Sequence, residues 1–117
     1  MALIITILMS IIPANTIIIE RLPEILENQT ITAYSSSADE TDDTPFITAF
    51  NTRVRKGIVA NNCYPKGTKV EIDGEMFVVE DRKNRRYGCE WWDVWMPSKD
   101  EAINHGIIRQ QSIVLLK

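Results

Sequence analysis

Two aspartates stand in surroundings suited to carboxylate chemistry. Asp93 lies in the run Trp91-Trp92-Asp93-Val94-Trp95-Met96. If that run is extended, Trp91, Asp93 and Trp95 share one face, and Trp92, Val94 and Met96 share the other. A carboxyl held between two indoles loses hydration, which favours its protonated form. The indole planes also give sugar rings a surface to pack on. Asp81 closes the run Phe77-Val78-Val79-Glu80-Asp81 and precedes the cations Arg82, Lys83, Arg85 and Arg86. A carboxylate at the end of an apolar strand beside a basic loop is placed to line a cleft. Two acids in unlike environments separate their pKa values, so one can donate a proton while the other stays charged. Plainer readings compete: Asp93 paired to Arg85 or Arg86 behind core aromatics, and Asp81 in a surface ion pair.

Other chemistries find little support. The sole histidine, His105, falls in the last turn of an expected helix, where an imidazole complements the helix dipole. Neither a phosphate-binding glycine loop nor a metal motif occurs, so neither a cofactor nor a metal is expected. The acidic stretch Asp39, Glu40, Asp42 and Asp43 reads as solvated loop charge, with cation binding or complementation of the basic loop as alternatives. Cys63 and Cys89 do not match zinc-ligand spacing. They are free to pair in an oxidising compartment and otherwise remain two thiols.

The elements that must position these residues are mostly strands. Period-two alternation begins at Gln29 and predicts a strand over Thr30 to Tyr34. Residues 35 to 45 are polar and aperiodic, hence a loop. Further strands are expected at Gly57 to Ala60, Thr68 to Ile72, Met76 to Asp81, Trp91 to Met96 and Ile107 to Leu116. Asp73-Gly74 between two β-rich runs signals a tight hairpin. One helix is predicted over Lys99 to His105, with Ser98 and Glu101 as a capping box and Gly106 just past its end. Six strands, one short helix and many loops point to a small closed β-barrel.

Composition sets the outer bounds. The 117 residues suit one domain. A net charge of −3 and a pI near 5.1 argue against nucleic acid, whose binding needs clustered cations to displace counterions. Residues 1–19 are uncharged and rich in Ile and Leu; as a helix they would span roughly 28 Å. They read as a signal peptide or signal anchor, which places the rest outside the cytoplasm and limits membrane contact to that segment if it is retained. Residues 20–28 read as a linker, and residues 29–117 as the folded domain.

Several segments in order resemble the 3D (three-aspartate) domain family. They are Thr32-Ala33-Tyr34-Ser35, Glu40-Thr41-Asp42 with Thr44-Pro45-Phe46-Ile47-Thr48-Ala49, Gly57-Ile58-Val59-Ala60-Asn61, Pro65-Lys66-Gly67-Thr68, Val79-Glu80-Asp81-Arg82, and Asp93-Val94-Trp95 before Pro97-Ser98. That family has the RlpA-like double-psi β-barrel and includes the C-terminal part of the MltA lytic transglycosylases. The resemblance implies a mainly β, six-stranded double-psi barrel with one short helix. It further implies peptidoglycan glycan strands as substrate, cleaved between N-acetylmuramic acid and N-acetylglucosamine with a 1,6-anhydro product. Asp81 and Asp93 match the second and third family aspartates and are the expected catalytic pair. Asn61 or Asn62 stands at the first, and Asn51 at a position the family usually fills with glycine. The expected substrate contacts are Tyr34, Asp42, Asn61, Asn62, Arg82, Trp91 and Trp95, and the Cys63 and Cys89 loops are expected to meet at one end of the barrel. Because Asn cannot exchange a proton near neutral pH, a non-catalytic glycan-binding barrel is the alternative.

Overall fold

The computed structural model describes residues 22–36 and 46–116; the hydrophobic N-terminal segment and Asp42 lie outside these. The described residues form strands β1 (Glu24–Tyr34), β2 (Ile58–Ala60), β3 (Lys69–Ile72), β4 (Glu75–Asp81), β5 (Trp91–Trp95) and β6 (Ile108–Leu116), with helix α1 (Lys99–His105) before the last strand. The strands close into a barrel in the order β1-β5-β2-β4-β3-β6. β1 runs parallel to β5, and β2 parallel to β4. The other neighbours are antiparallel.

Local chemistry accounts for the boundaries. Asp73 and Gly74 take φ of 51° and 82°, and Ile72 pairs with Glu75 across them. Positive φ at both central residues gives a two-residue turn whose twist matches the flanking strands. The Oγ of Ser98 accepts from the Glu101 amide at 3.2 Å, supplying one of the partners that a helix N-terminus lacks. Gly106, at φ 65°, returns its amide to the Ile103 carbonyl at 3.2 Å and ends α1.

The core is the barrel interior: Ile31, Val59, Val70, Ile72, Phe77, Val79, Trp92, Val94, Ile113 and Leu115. Trp92 is fully buried. Its indole N–H donates to the Gln29 Oε1 at 2.8 Å, and Tyr64 stacks on its ring at 5.3 Å. A buried indole is stable only when its one donor finds an acceptor.

One expected boundary is corrected. Residues 20–28 are not wholly a linker, because β1 begins at Glu24 and pairs Glu24, Ile25 and Leu26 with Leu115, Val114 and Ile113. The charges of Glu24 and Glu27 hide this half of the strand from an alternation test. Asn28, at φ 58°, also breaks its regular pleat.

Candidate active site

Alternation along β1 and β5 sets the site's first half. Ile31 faces the core from β1, and Trp92 and Val94 do so from β5, which turns Thr30, Thr32 and Tyr34, and Trp91, Asp93 and Trp95, to the opposite side. The parallel register pairs Thr30 with Trp91, Thr32 with Asp93 and Tyr34 with Trp95. The Thr32 hydroxyl donates to the Asp93 Oδ1 at 2.8 Å.

A bulge supplies the second half. Ile58 pairs with Val78 and Val59 with Val79, but Ala60 pairs with Asp81, so Glu80 is an extra residue in β4. In an unbroken strand Asp81 would follow Val79 toward the core. The bulge re-aims it to the side of Ala60, while Glu80 pairs with Arg55 at 2.6 Å. Ala60 also pairs with Asp93 through β5. The two aspartates therefore flank one alanine from either side, which puts their Cα atoms about 10 Å apart by two strand spacings.

Asp81 receives three donors: the Tyr34 hydroxyl at 2.7 Å on Oδ2, and on Oδ1 the amides of Ala49 at 2.7 Å and Arg82 at 2.9 Å. The Ala49 amide is presented by a tight turn. The Thr48 amide donates to the Thr52 carbonyl at 2.7 Å, and the Thr48 Oγ1 accepts from the Phe50 and Thr52 amides. Asn51 closes this turn at φ 62°, a left-handed conformation that glycine adopts freely and Asn tolerates.

Asp93 is 9% exposed and forms an ion pair with Lys83 at 3.1 Å. Burial pushes its carboxyl above the usual range. Lys83 and the Thr32 hydrogen bond pull it back, and the nearby charge of Asp81 adds a smaller upward push. Tyr34 is driven far upward, first by burial and then by Asp81, so its hydroxyl keeps its proton and acts as a fixed donor. The Lys83 ammonium lies 4.3 Å from the Tyr87 ring centroid and 5.8 Å from that of Trp91, within cation–π reach.

Lys83 is the residue that sequence reasoning missed. It stands in the basic run after Asp81, where the plainer competing reading pairs Asp93 with Arg85 or Arg86. Neither fills that role. Asn62 fixes Lys83 by accepting from its amide at 2.8 Å and donating to the Asn84 and Tyr87 carbonyls.

Three expected substrate contacts are engaged by the protein's own backbone. Asn61 is fully buried; its Nδ2 donates to the Cys89 and Trp91 carbonyls, and its Oδ1 accepts from the Cys63 and Tyr64 amides. Its side chain has no capacity left for a ligand. Asn62, partly exposed, makes three bonds to the Lys83 loop. Arg82 turns its guanidinium to the Asn61 and Tyr64 carbonyls, with the Phe50 ring 4.5 Å away. All three hold loops in place. Trp91 and Trp95 do flank Asp93 on β5, and the Trp95 indole donates to the Ser36 Oγ at 3.0 Å.

Cys63 and Cys89 are joined by a disulfide with Cα atoms 5.3 Å apart. The bond ties the Asn61 turn to the strand entry before Trp91. Among the described residues no cluster of His, Cys, Asp and Glu could hold a metal. A cavity of about 740 Å³ elsewhere, lined by Leu22, Tyr64, Gly67, Thr68, Lys69, Leu115 and Leu116, contains neither aspartate; the site is assigned on its acid–base chemistry. Comparison with protein-family models and with curated proteins finds no match.

Proposed function

We propose that this chain is a double-psi barrel of the 3D type that cleaves bacterial cell-wall glycan by lytic transglycosylation. Two parallel strand pairs in a closed six-stranded barrel support the fold reading. The observation that carries the functional reading is the convergence of Asp81 and Asp93 on Ala60, with burial pushing the Asp93 carboxyl above its usual range.

In this reading protonated Asp93 donates to the glycosidic oxygen as the C1–O bond breaks, and Lys83 stabilises the carboxylate left behind. The same carboxylate then takes the proton of the muramic C6 hydroxyl while that oxygen closes on C1, giving the 1,6-anhydro end. Proton balance is restored without water. Asp81, fixed by Tyr34 and the Ala49 amide, supplies negative charge opposite the developing oxocarbenium ion. Asn51 fits the family pattern in backbone conformation, since it occupies a left-handed position where glycine is usual.

A non-catalytic glycan-binding barrel is the second reading, and one observation favours it. Asn61 or Asn62 stands at the place of the first family carboxylate, and both side chains are engaged by the protein's own backbone, so only two carboxylates remain. Mass spectrometry of peptidoglycan incubated with the purified protein separates the two. Anhydro-muramyl ends formed by the wild type and absent with Asp93→Asn are expected; binding without such ends between pH 4 and 8 gives the second reading. An exported, cell-wall location accords with the disulfide, and secretion of the native protein would test it.

A further inference from the structure

Beside Asp93 the barrel carries a ledge in which cations and aromatic rings are interleaved. Tyr87 and Trp91 meet edge to face, with ring centroids 4.9 Å apart at 61°. The Arg86 guanidinium lies 5.0 Å from the Tyr87 centroid and donates to the Tyr87 hydroxyl at 3.0 Å. The Arg109 guanidinium lies 5.8 Å from the Trp91 centroid. Both arginines are exposed. Among the described residues neither has a carboxylate at ion-pair distance. Lys83, the third cation against these rings, is already paired to Asp93.

A second bulge brings Arg109 there. Gln29 pairs with Gln111 and Ile31 with Ile108, so Arg109 and Gln110 together oppose Thr30. Gln110 takes φ 55° at this two-against-one position, which re-aims the neighbouring side chain. Thr30 pairs on its other side with Trp91. Arg109, Thr30 and Trp91 thus form a row across three strands, and Asp93 stands two residues along β5 on the same face.

We propose that this ledge binds the carboxylate of an acidic saccharide and seats the adjoining sugar next to Asp93. The inference rests on the glycan-cleaving reading and adds the charge of the ligand to it. A guanidinium resting on an aromatic face turns its N–H edge outward, where the planar fork matches a carboxylate. Beside the forks Tyr87 and Trp91 are partly exposed, so sugar C–H groups can pack against what the cations leave uncovered. Two arginines on a chain of net charge −3 suit one or two acid groups rather than a polyphosphate, which demands a longer run of cations.

The test is calorimetric titration of the full chain with two probes. One is the disaccharide of N-acetylglucosamine and N-acetylmuramic acid, which bears a free carboxylate; the other is N,N′-diacetylchitobiose, which is uncharged. The acidic disaccharide is expected to bind about tenfold tighter at low salt, with the preference shrinking as salt screens the exposed charges. The double variant Arg86→Gln/Arg109→Gln should equalise the two sugars to within about twofold, and Arg86→Glu/Arg109→Glu should invert the preference. Equal binding by the wild type, an unchanged preference in the double variant, or binding of neither sugar at millimolar concentration would overturn the proposal. Anhydro ends formed without any preference for the acidic sugar sink the ledge alone, whereas preference without anhydro ends sinks the cleavage reading alone.

Discussion

The Tyr34 hydroxyl reaches the Asp81 carboxylate at 2.7 Å, although β1 and β4 are separated in the barrel by β5 and β2. The bond spans the site and fixes one carboxylate relative to the strand that positions Asp93. Tyr34→Phe removes the donor and leaves Oδ2 of Asp81 one partner short. A loss of about 1 to 2 kcal/mol in unfolding free energy is expected, measured by urea titration. The proposed transglycosylation should fall further than stability does, because Asp81 is no longer held.

Asp93→Asn is nearly isosteric. It should keep the fold, as judged by an unchanged far-ultraviolet circular dichroism spectrum, and lower the rate of anhydro-product formation by roughly 10² to 10⁴, the range associated with a positioned general acid. A variant retaining wild-type turnover would show that Asp93 is not the proton donor.

Lys83 opposes the burial of Asp93, so Lys83→Gln should raise the Asp93 carboxyl further. A higher midpoint in a ¹³C carboxyl titration is the expected readout. The sign for stability follows from the direction of the wild-type shift. Asp93 binds its proton more tightly folded than unfolded, so its stabilising contribution is complete below the ordinary Asp value, about 3.9. That contribution is lost as pH rises through the folded value. The stability of wild type minus that of Asp93→Asn should therefore decline from pH 4 upward; a rise over that range would contradict the assignment.

Cys63 and Cys89 close a loop across a sequence separation of 26 that contains Asp81 and Lys83. Replacing both by Ser should cost about 2 to 4 kcal/mol. It should also release the Asn61 turn, which donates to the Cys89 carbonyl at 2.9 Å. Thermal unfolding with and without a thiol reductant should reproduce the difference in the wild type and show none in the variant.

Truncation distinguishes the two halves of β1. A chain starting at Glu24 keeps the pairs between Glu24–Leu26 and β6, and with them the packing of Leu26 against the core. A chain starting at Gln29 loses both and should unfold at a lower temperature by several degrees, in line with a loss of about 1 to 2 kcal/mol in a domain of this size. Equal melting temperatures would mean that the first turns of β1 contribute nothing.

The helix and the β3–β4 hairpin were legible because short-range chemistry determines them: Ser98, Glu101 and Gly106 mark the helix ends, and Asp73-Gly74 the turn. β5 was legible because Trp91 through Trp95 is a short run of aromatic and β-branched residues around Asp93. What alternation could not reveal were the bulges. Placing Glu80 as an extra residue in β4 requires knowing that Ala60 lies opposite, a pairing made across about twenty residues of sequence and a parallel crossover. The partner of Asp93 was hidden for a related reason: several basic residues follow Asp81, and only the Asn62 clamp on its amide selects Lys83. Asn61 looked like a ligand contact because a sequence shows a side chain's polar groups but not the four backbone groups that occupy them.

The cyclic strand order described above leaves every strand with a neighbour on both sides. Hydrogen-bonding edges, through which many β proteins recruit an extended peptide as an additional strand or grow into fibres, are thereby occupied along much of the barrel, though the first half of β1 pairs with β6 alone. Around Thr30–Tyr34 and Trp91–Trp95, where both neighbours are paired, association must be held by side chains and loop amides, so recognition there depends on residues such as Trp91 and Arg109 that substitution can alter one at a time without disturbing the sheet.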